Sequence, residues 1–198
     1  MALKKKLVLA VVNPQSFYLL AEKMREIDIK FEVPPSMPFL CSPNEVVLYD
    51  ERSTNLVTGN CEKLLVTDTG KKYVMSLFPR LAGKEMFEEI AVGIDLGSIS
   101  AFIVVGDGSL LMKGKVPTES LGETIKEISS IPHEKMIVRV GSWNETEELW
   151  GIVADIVSST DASVEVVDEH GTTRGSLEEE KDPDIRAAKA ILKRMKLG

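Results

Sequence analysis

Short apolar runs alternate with amphipathic segments in the first half of the chain. The run Leu7–Val12 has strand length and ends at Asn13-Pro14, an N-cap residue followed by proline at the first helical position. Apolar residues then recur at helical spacing as far as Ile27. The pattern further predicts strands at 29–33, 45–49 and 63–67, a proline-rich extended loop at 34–43, and a helix at 71–82. This order predicts a small α/β domain with a largely parallel sheet.

The second half begins with three apolar runs in hairpin series and continues with alternating helices and strands. The pattern predicts strands at 90–96, 100–105 and 110–116, a helix to about 128, a strand at 135–140, a helix at 145–157, a strand at 163–167 and a helix at 184–195. The order is βββαβαβα, an α/β domain with a mixed sheet. Because the pattern is interrupted at 83–89, we predict two domains, residues 1–86 and 87–198.

One acid stands at the end of an otherwise apolar strand. The run Ile90–Ile94 leads directly into Asp95, and Gly97 follows in a glycine-bounded turn. An ionised carboxylate in apolar surroundings must be paired, hydrated or bound to a cation. Glycine beside it lets a backbone, or a bound group, approach closely. Asp95 is therefore the first candidate functional residue.

The charge balance opposes nucleic-acid binding by charge alone. The chain of 198 residues has a net charge of −7, and its acidic excess lies entirely in the second half. Residues 1–88 hold 12 Lys and Arg against 11 Asp and Glu, whereas residues 89–198 hold 12 against 20. A protein that binds nucleic acid mainly by charge is expected to be basic.

The cysteines and the apolar runs predict a cytoplasmic protein. Cys41 and Cys61 lack the CxxC spacing, and we expect reduced, packed thiols. No apolar run approaches the length of a membrane span, so no membrane partner is expected. The run 7–12 after the N-terminal lysines is too short for a signal peptide.

Acids recur at the ends of elements in the second domain. Asp95 ends its first strand, Asp168 and Glu169 end its last, and Asp182 and Asp184 begin its last helix. Because the carboxyl ends of parallel strands face one crevice, these carboxylates are expected to converge. Converging carboxylates repel one another unless a divalent cation or a raised pKa neutralises them, and hard oxygen ligands suit Mg²⁺ or Mn²⁺.

Three segments carry a resemblance to a known family. Gly93-Ile94-Asp95-Leu96-Gly97-Ser98 is similar to a GxDxG first-strand motif, and residues 166–173 are similar to a valine-aspartate-glutamate segment. Residues 184–192 are similar to a closing helix with Asp, Ala-Ala and Ile-Leu. Together, over about residues 89–198, they resemble the ribonuclease H-like fold and, within it, the RuvX/YqgF group of Holliday junction resolvases.

The resemblance implies two-metal phosphodiester hydrolysis on structured or branched DNA or RNA. It implies that Asp95, Asp168 and Asp184 hold Mg²⁺ or Mn²⁺, with Glu169 as an alternative ligand and His170 as a proton carrier. Where the family usually carries arginine, this chain has His170. Basic residues near the site would contact nucleic acid; the three we select are Arg174, Arg186 and Lys189. By analogy with enzymes that cut two strands, a homodimer is also implied.

Other interpretations of these residues stay open. Asp184 also suits the first turn of a helix electrostatically, and basic residues of the last helix also suit a solvated face. The domain is alternatively a non-catalytic ribonuclease H-like binding module. Because residues 93–98 also look like the first phosphate motif of actin-like and sugar-kinase-like ATPases, ATP binding is a third hypothesis.

Two aromatic positions and one histidine are assigned structural roles. Trp143 and Trp150 lie seven residues apart on or near one helix, which favours core packing. His133 follows Pro132 in a predicted loop and is expected at the surface.

Overall fold

The chain divides into two compact units, residues 1–86 and 87–198. A computed structural model describes residues 4–142, 146–168 and 181–193; the side chains of Ser142, Glu148 and Asp168 lie outside that description.

The first unit is an α/β domain around a parallel sheet. Its elements are β1 (Lys6–Ala10), α1 (Pro14–Glu26), β2 (Phe31–Glu32), β3 (Phe39–Cys41), β4 (Glu45–Tyr49), β5 (Val57–Gly59), β6 (Glu62–Leu65), α2 (Lys71–Met75) and α3 (Phe78–Leu81), with a 3₁₀ helix at Glu51–Leu56. The main sheet has the order β2-β1-β4-β6, and every pairing in it is parallel. As predicted, Asn13 caps α1: its side chain accepts hydrogen bonds from the backbone N–H groups of Gln15 and Ser16.

The single helix predicted at 71–82 is two short helices. Pro79 lies in the first turn of α3, where the missing N–H group has no intrahelical partner to lose. Inside a continuous helix the same residue would remove a hydrogen bond and collide with the preceding turn. The prediction of one helix was therefore wrong, and the break lies just before the proline.

The prediction of reduced thiols was also wrong, because Cys41 and Cys61 form a disulfide with Cα atoms 5.7 Å apart. The reason is a tertiary pairing: β3, inside the predicted loop, pairs in parallel with β5 and places Cys41 opposite Gly59. Cys61 follows two residues later. Disulfides are typical of oxidising compartments, so the predicted cytoplasmic location loses the support of reduced thiols. It stays a prediction.

The second unit has the predicted βββαβαβα order and a mixed sheet. Its elements are β7 (Phe87–Asp95), β8 (Ile99–Gly106), β9 (Ser109–Pro117), α4 (Leu121–Ile128), β10 (His133–Ser142), α5 (Glu147–Ser159), β11 (Ser163–Asp168) and α6 (Pro183–Lys193). The strand order is β11-β10-β7-β8-β9. Strand β7 pairs antiparallel with β8 and parallel with β10, so the strand that ends in Asp95 is central.

Strand β7 presents two different faces. Ile90, Val92 and Ile94 are completely buried and form one side of the core. Gly93 and Asp95 alternate with them and face the other side, where α6 packs. Among the described residues, no helix is both long enough and apolar enough to cross a membrane.

Candidate functional site

Asp95 lies in a cross-strand row at the carboxyl end of β7. It is in register with Gly141 of β10 on one side and with Ala101 of β8 on the other, and Ala101 is in register with Lys115 of β9. The neighbours of Asp95 in this row carry at most a methyl group. The backbones of Asp95 and Lys115 are two strands, or about 10 Å, apart.

The turn that follows Asp95 is tied to the end of β9. The Thr118 hydroxyl donates a hydrogen bond to the Gly97 carbonyl oxygen and shares another, 2.6 Å long, with the hydroxyl of Ser100. Ser100 is completely buried. The backbone just beyond Asp95 is thus held by the Thr118 side chain, which in turn shares a hydrogen bond with Ser100 of β8.

Helix α6 touches β7 at Gly93. A Cβ atom built on Gly93 would lie 2.3 Å from the Ala188 carbonyl oxygen and 2.8 Å from the Leu192 Cβ. Only glycine allows an approach this close. The backbone of α6 therefore rests directly on β7, two residues before Asp95.

Side-chain contacts fix the direction in which α6 runs. Arg139, in register with Gly93, donates a hydrogen bond to the Leu192 carbonyl oxygen. Lys115, in the row of Asp95, binds Asp184. The contacts of α6 thus pass from Lys115 of β9, through Gly93 of β7, to Arg139 of β10, so the helix crosses the strands. Its first turn contacts the row of Asp95 through Lys115.

Lys115 joins β9 to the first turn of α6. Its Nζ lies 2.7 Å from Asp184 Oδ2 and 2.9 Å from Asp182 Oδ2. The other Asp182 oxygen, Oδ1, accepts hydrogen bonds from the N–H groups of Asp184 and Ile185, at 3.0 and 3.4 Å. Hydrogen bonds to Asp184 and Asp182 raise the pKa of Lys115, and the bond from Lys115 lowers the pKa of Asp182.

The sequence does not predict the contact of Lys115 with Asp182 and Asp184. Along β9, exposed and half-buried residues alternate, and Lys115 has the pattern of an ordinary solvated position. The Asp-Pro-Asp run at 182–184 signals a helix start, but it does not indicate which strand the helix contacts.

The remaining predicted acids fall at or beyond the limit of the described residues. Asp168 is the last residue of β11, and its backbone is in register with Ser142, one position beyond the row of Asp95. Glu169 and His170 lie outside the described residues. In the part of the chain that is described, no three His, Cys, Asp or Glu side chains form a group that could hold a metal.

Of the predicted basic residues, two lie on α6. Arg186 is exposed and Lys189 half-buried, and Lys193 continues the same stripe at a spacing of four residues. Arg174 lies outside the described residues. The basic stripe of α6, defined as Arg186, Lys189 and Lys193, thus runs along a helix whose first turn adjoins the row of Asp95.

In the first unit, the residue best placed for ligand binding is used structurally. The order β2-β1-β4-β6 reverses direction between β1 and β4, where open α/β sheets commonly bind ligands, and Asp50 follows β4 at this point. Its carboxylate accepts hydrogen bonds from the Val12 and Asn13 N–H groups at 2.9 and 2.6 Å, and from the Ser53 N–H and hydroxyl. Burial alone raises the pKa of Asp50, but the hydrogen bonds from Asn13, Ser53 and Val12 outweigh it and leave the pKa below its ordinary value.

Fold and site together define an α/β protein whose second unit has a mixed sheet with one acid, Asp95, at the end of its central strand. No protein-family model matches the chain, and no curated protein matches it in sequence. Solved structures of Marinitoga piezophila Argonaute, one with a 5′ OH guide RNA and one with that guide and target DNA, each resemble it at a TM-score of 0.32 and 11% identity. Each match covers 83% of this chain and 39% of the Argonaute chain.

Proposed function

We propose that residues 87–198 form a divalent-metal-dependent nuclease domain of the ribonuclease H-like, RuvX/YqgF type, which acts on structured or branched nucleic acid. The observation that carries the proposal is the contact of α6 with Gly93. This contact seats α6 on the strand that ends in Asp95, and Lys115, in the row of Asp95, binds Asp184 of the same helix, which supports a shared site for the two acids.

The donor set suits a hard divalent cation. Asp95, Asp168 and Asp184 offer carboxylate oxygens, which are the ligands that Mg²⁺ and Mn²⁺ prefer. Two carboxylates already gather around a positive charge at this place, since Asp182 and Asp184 both contact the Lys115 ammonium. When bound, a divalent cation supplies an activated water and stabilises the leaving oxygen of a phosphodiester.

Each residue has a separate task in this proposal. Asp95 and Asp184 hold the metal from β7 and α6, and Asp168 completes the set from the end of β11. Asp182 keeps the first turn of α6 in place through its two backbone hydrogen bonds. Glu169 serves as an alternative ligand and His170 as the proton carrier.

The basic stripe of α6 is the proposed contact with nucleic acid. Phosphate contacts by Lys and Arg supply sequence-independent affinity, and a stripe at helical spacing follows a backbone of regularly spaced charges. Arg186 and Lys189 lie within two turns of Asp184 along α6. A net charge of −7 does not oppose this contact, because the field of a local cationic stripe acts within about one Debye length.

The proposal is tested by cleavage of junction DNA, flap DNA and structured RNA in Mn²⁺ and in chelator. Asp95→Asn and Asp184→Asn should each lower the rate by at least about 100-fold, because each removes a charged metal ligand. The matched control is Asp161→Asn, which makes the same change on a 76%-exposed side chain near His133, at the opposite end of β10. Cleavage that survives Asp95→Asn would contradict the proposal, as would equal losses in all three variants.

A non-catalytic nucleic-acid-binding module is the second candidate. The ion pairs of Lys115 with Asp182 and Asp184 favour it, because they neutralise two carboxylates without a metal. Binding of the same nucleic acids without cleavage, weakened by Arg186→Glu, would support the module over the nuclease. Binding of ATP without affinity for nucleic acid would instead favour the actin-like hypothesis.

A further inference from the structure

Lys115 lies where a protein cation and a metal would compete for the same oxygens. Its ammonium contacts Asp184 Oδ2 at 2.7 Å and Asp182 Oδ2 at 2.9 Å. An ammonium group donates hydrogen bonds to carboxylate lone pairs, and a divalent cation needs those same lone pairs. The two cations therefore compete for Asp184 Oδ2.

The two carboxylates are held differently. Asp182 uses Oδ1 to accept hydrogen bonds from the backbone at the start of α6, so it stays in place when Lys115 leaves. Asp184 Oδ2 receives the shorter of the two Lys115 contacts. Release of Lys115 would therefore free an oxygen of Asp184 without uncapping α6.

The backbone of Lys115 is fixed although its side chain is long. Strand β9 pairs with β8 along most of its length, and this pairing places Lys115 in the row of Asp95. The side chain is 35% exposed, so it can swing toward solvent when another cation takes its place.

We propose that Lys115 is a built-in competitor for the divalent metal: it occupies Asp184 in the metal-free protein, and a metal binds only after displacing it. The inference rests on the proposed function, in which Asp184 is a metal ligand. Metal affinity would then be set by the displacement of an internal cation as well as by the ligands themselves. If Lys115 occupies Asp184 in about nine of ten molecules, its removal strengthens metal binding about tenfold.

The test measures Mn²⁺ binding to the full chain, without nucleic acid, by electron paramagnetic resonance of the free ion and by calorimetry. Lys115→Met keeps the length of the side chain and removes its charge, and it should bind Mn²⁺ about tenfold more tightly than the wild type. Lys113→Met removes the same charge two residues away on the same strand. It measures the general electrostatic effect and should change the affinity far less.

Three further measurements make the result decisive. The double variant Lys115→Met/Asp184→Asn should lose the gain, and Lys115→Arg, which keeps a cation, should remain near the wild-type affinity. In the wild type, saturating Mg²⁺ should raise the reactivity of Lys115 toward acetic anhydride, read by mass spectrometry, and leave Lys113 unchanged. The labelling measurement uses only the wild-type protein, so its result does not depend on whether a variant folds.

Equal Mn²⁺ affinity in the wild type and Lys115→Met, or a Lys115 reactivity that Mg²⁺ does not change, would overturn the inference. These outcomes separate it from the proposed function. If the wild type cleaves nucleic acid with metal but Lys115→Met binds Mn²⁺ no more tightly, the nuclease proposal stands and the competitor role of Lys115 is refuted. Tighter, Asp184-dependent metal binding without cleavage of any nucleic acid supports the competitor and refutes the nuclease.

Discussion

Substitution of Gly93 by alanine is expected to displace α6 from the sheet. The added Cβ would lie 2.3 Å from the Ala188 carbonyl oxygen and 2.8 Å from the Leu192 Cβ, and the nearer partner is backbone that cannot rotate away. Relief to ordinary contact requires a shift of about 1 Å, and a gap of that size loses roughly a quarter to a half of each dispersion contact along the interface. Overpacking of this kind typically costs 1–3 kcal/mol, and we expect about 3 kcal/mol here.

The assay is urea unfolding followed by tryptophan fluorescence. Both tryptophans of the chain belong to residues 87–198, so the signal reports on the second unit. Gly151→Ala is the matched control: a Cβ at Gly151 would meet nothing within 4 Å, and alanine within α5 should stabilise the unit by about 0.5–1 kcal/mol. A loss below about 1 kcal/mol for Gly93→Ala, with Mn²⁺ binding unchanged, would refute the packing of α6 on β7 and the position of Asp184 inferred from it.

Three other perturbations test the remaining contacts. Asp50→Asn should cost about 2 kcal/mol and speed hydrogen exchange in the loop after β1. Because the folded pKa of Asp50 is lowered, its stabilisation is present above about pH 4 and is lost as the pH falls through the folded pKa, so the acid limb of the stability curve should be flatter in the variant. Cys41 and Cys61 should resist alkylation until their disulfide is reduced. Reduction should destabilise the first unit by about 3 kcal/mol, since the disulfide spans 20 residues. Arg139→Gln should cost about 2 kcal/mol in urea unfolding, because it leaves the 17%-exposed Glu165 carboxylate without its partner at 2.9 Å. If none of these three changes lowers the free energy of unfolding, the contacts described are contradicted.

The order of strands and helices along the second half of the chain was predictable because each element has its own local sequence pattern. The run 90–94 is apolar throughout, as expected for a central strand covered on both faces, and the runs that follow it are separated by glycine-containing turns. The starts of α1 and α6 were predictable from equally local signals, Asn13-Pro14 and Pro183-Asp184. Local pattern and final structure agree wherever a segment's neighbours along the chain decide its conformation.

Contacts between distant segments were not predictable in this way. The disulfide depends on β3 pairing with β5, and neither of these three-residue strands has a periodic pattern. Trp150, expected in the core from its spacing, is 48% exposed, because the buried side of α5 is set instead by Leu149 and Ile156. His133 was expected at the surface, yet its side chain is only 6% exposed, and its Nδ1 lies 2.5 Å from the Ile131 carbonyl oxygen. The disulfide and the exposure of these two side chains depend on how the segments pack in the fold, which local spacing does not specify.

Gly93 shows why the acids of this domain must be considered together with α6. In the sequence, Gly93 is the first residue of the GxDxG first-strand motif; in the structure it lies within β7, and its lack of a side chain admits the α6 backbone. The same short segment thus supplies an acid and the contact on which α6, the helix that carries Asp184, packs. The motif is therefore informative about the site because it specifies the packing of a helix 90 residues further along the chain, in addition to the acid itself.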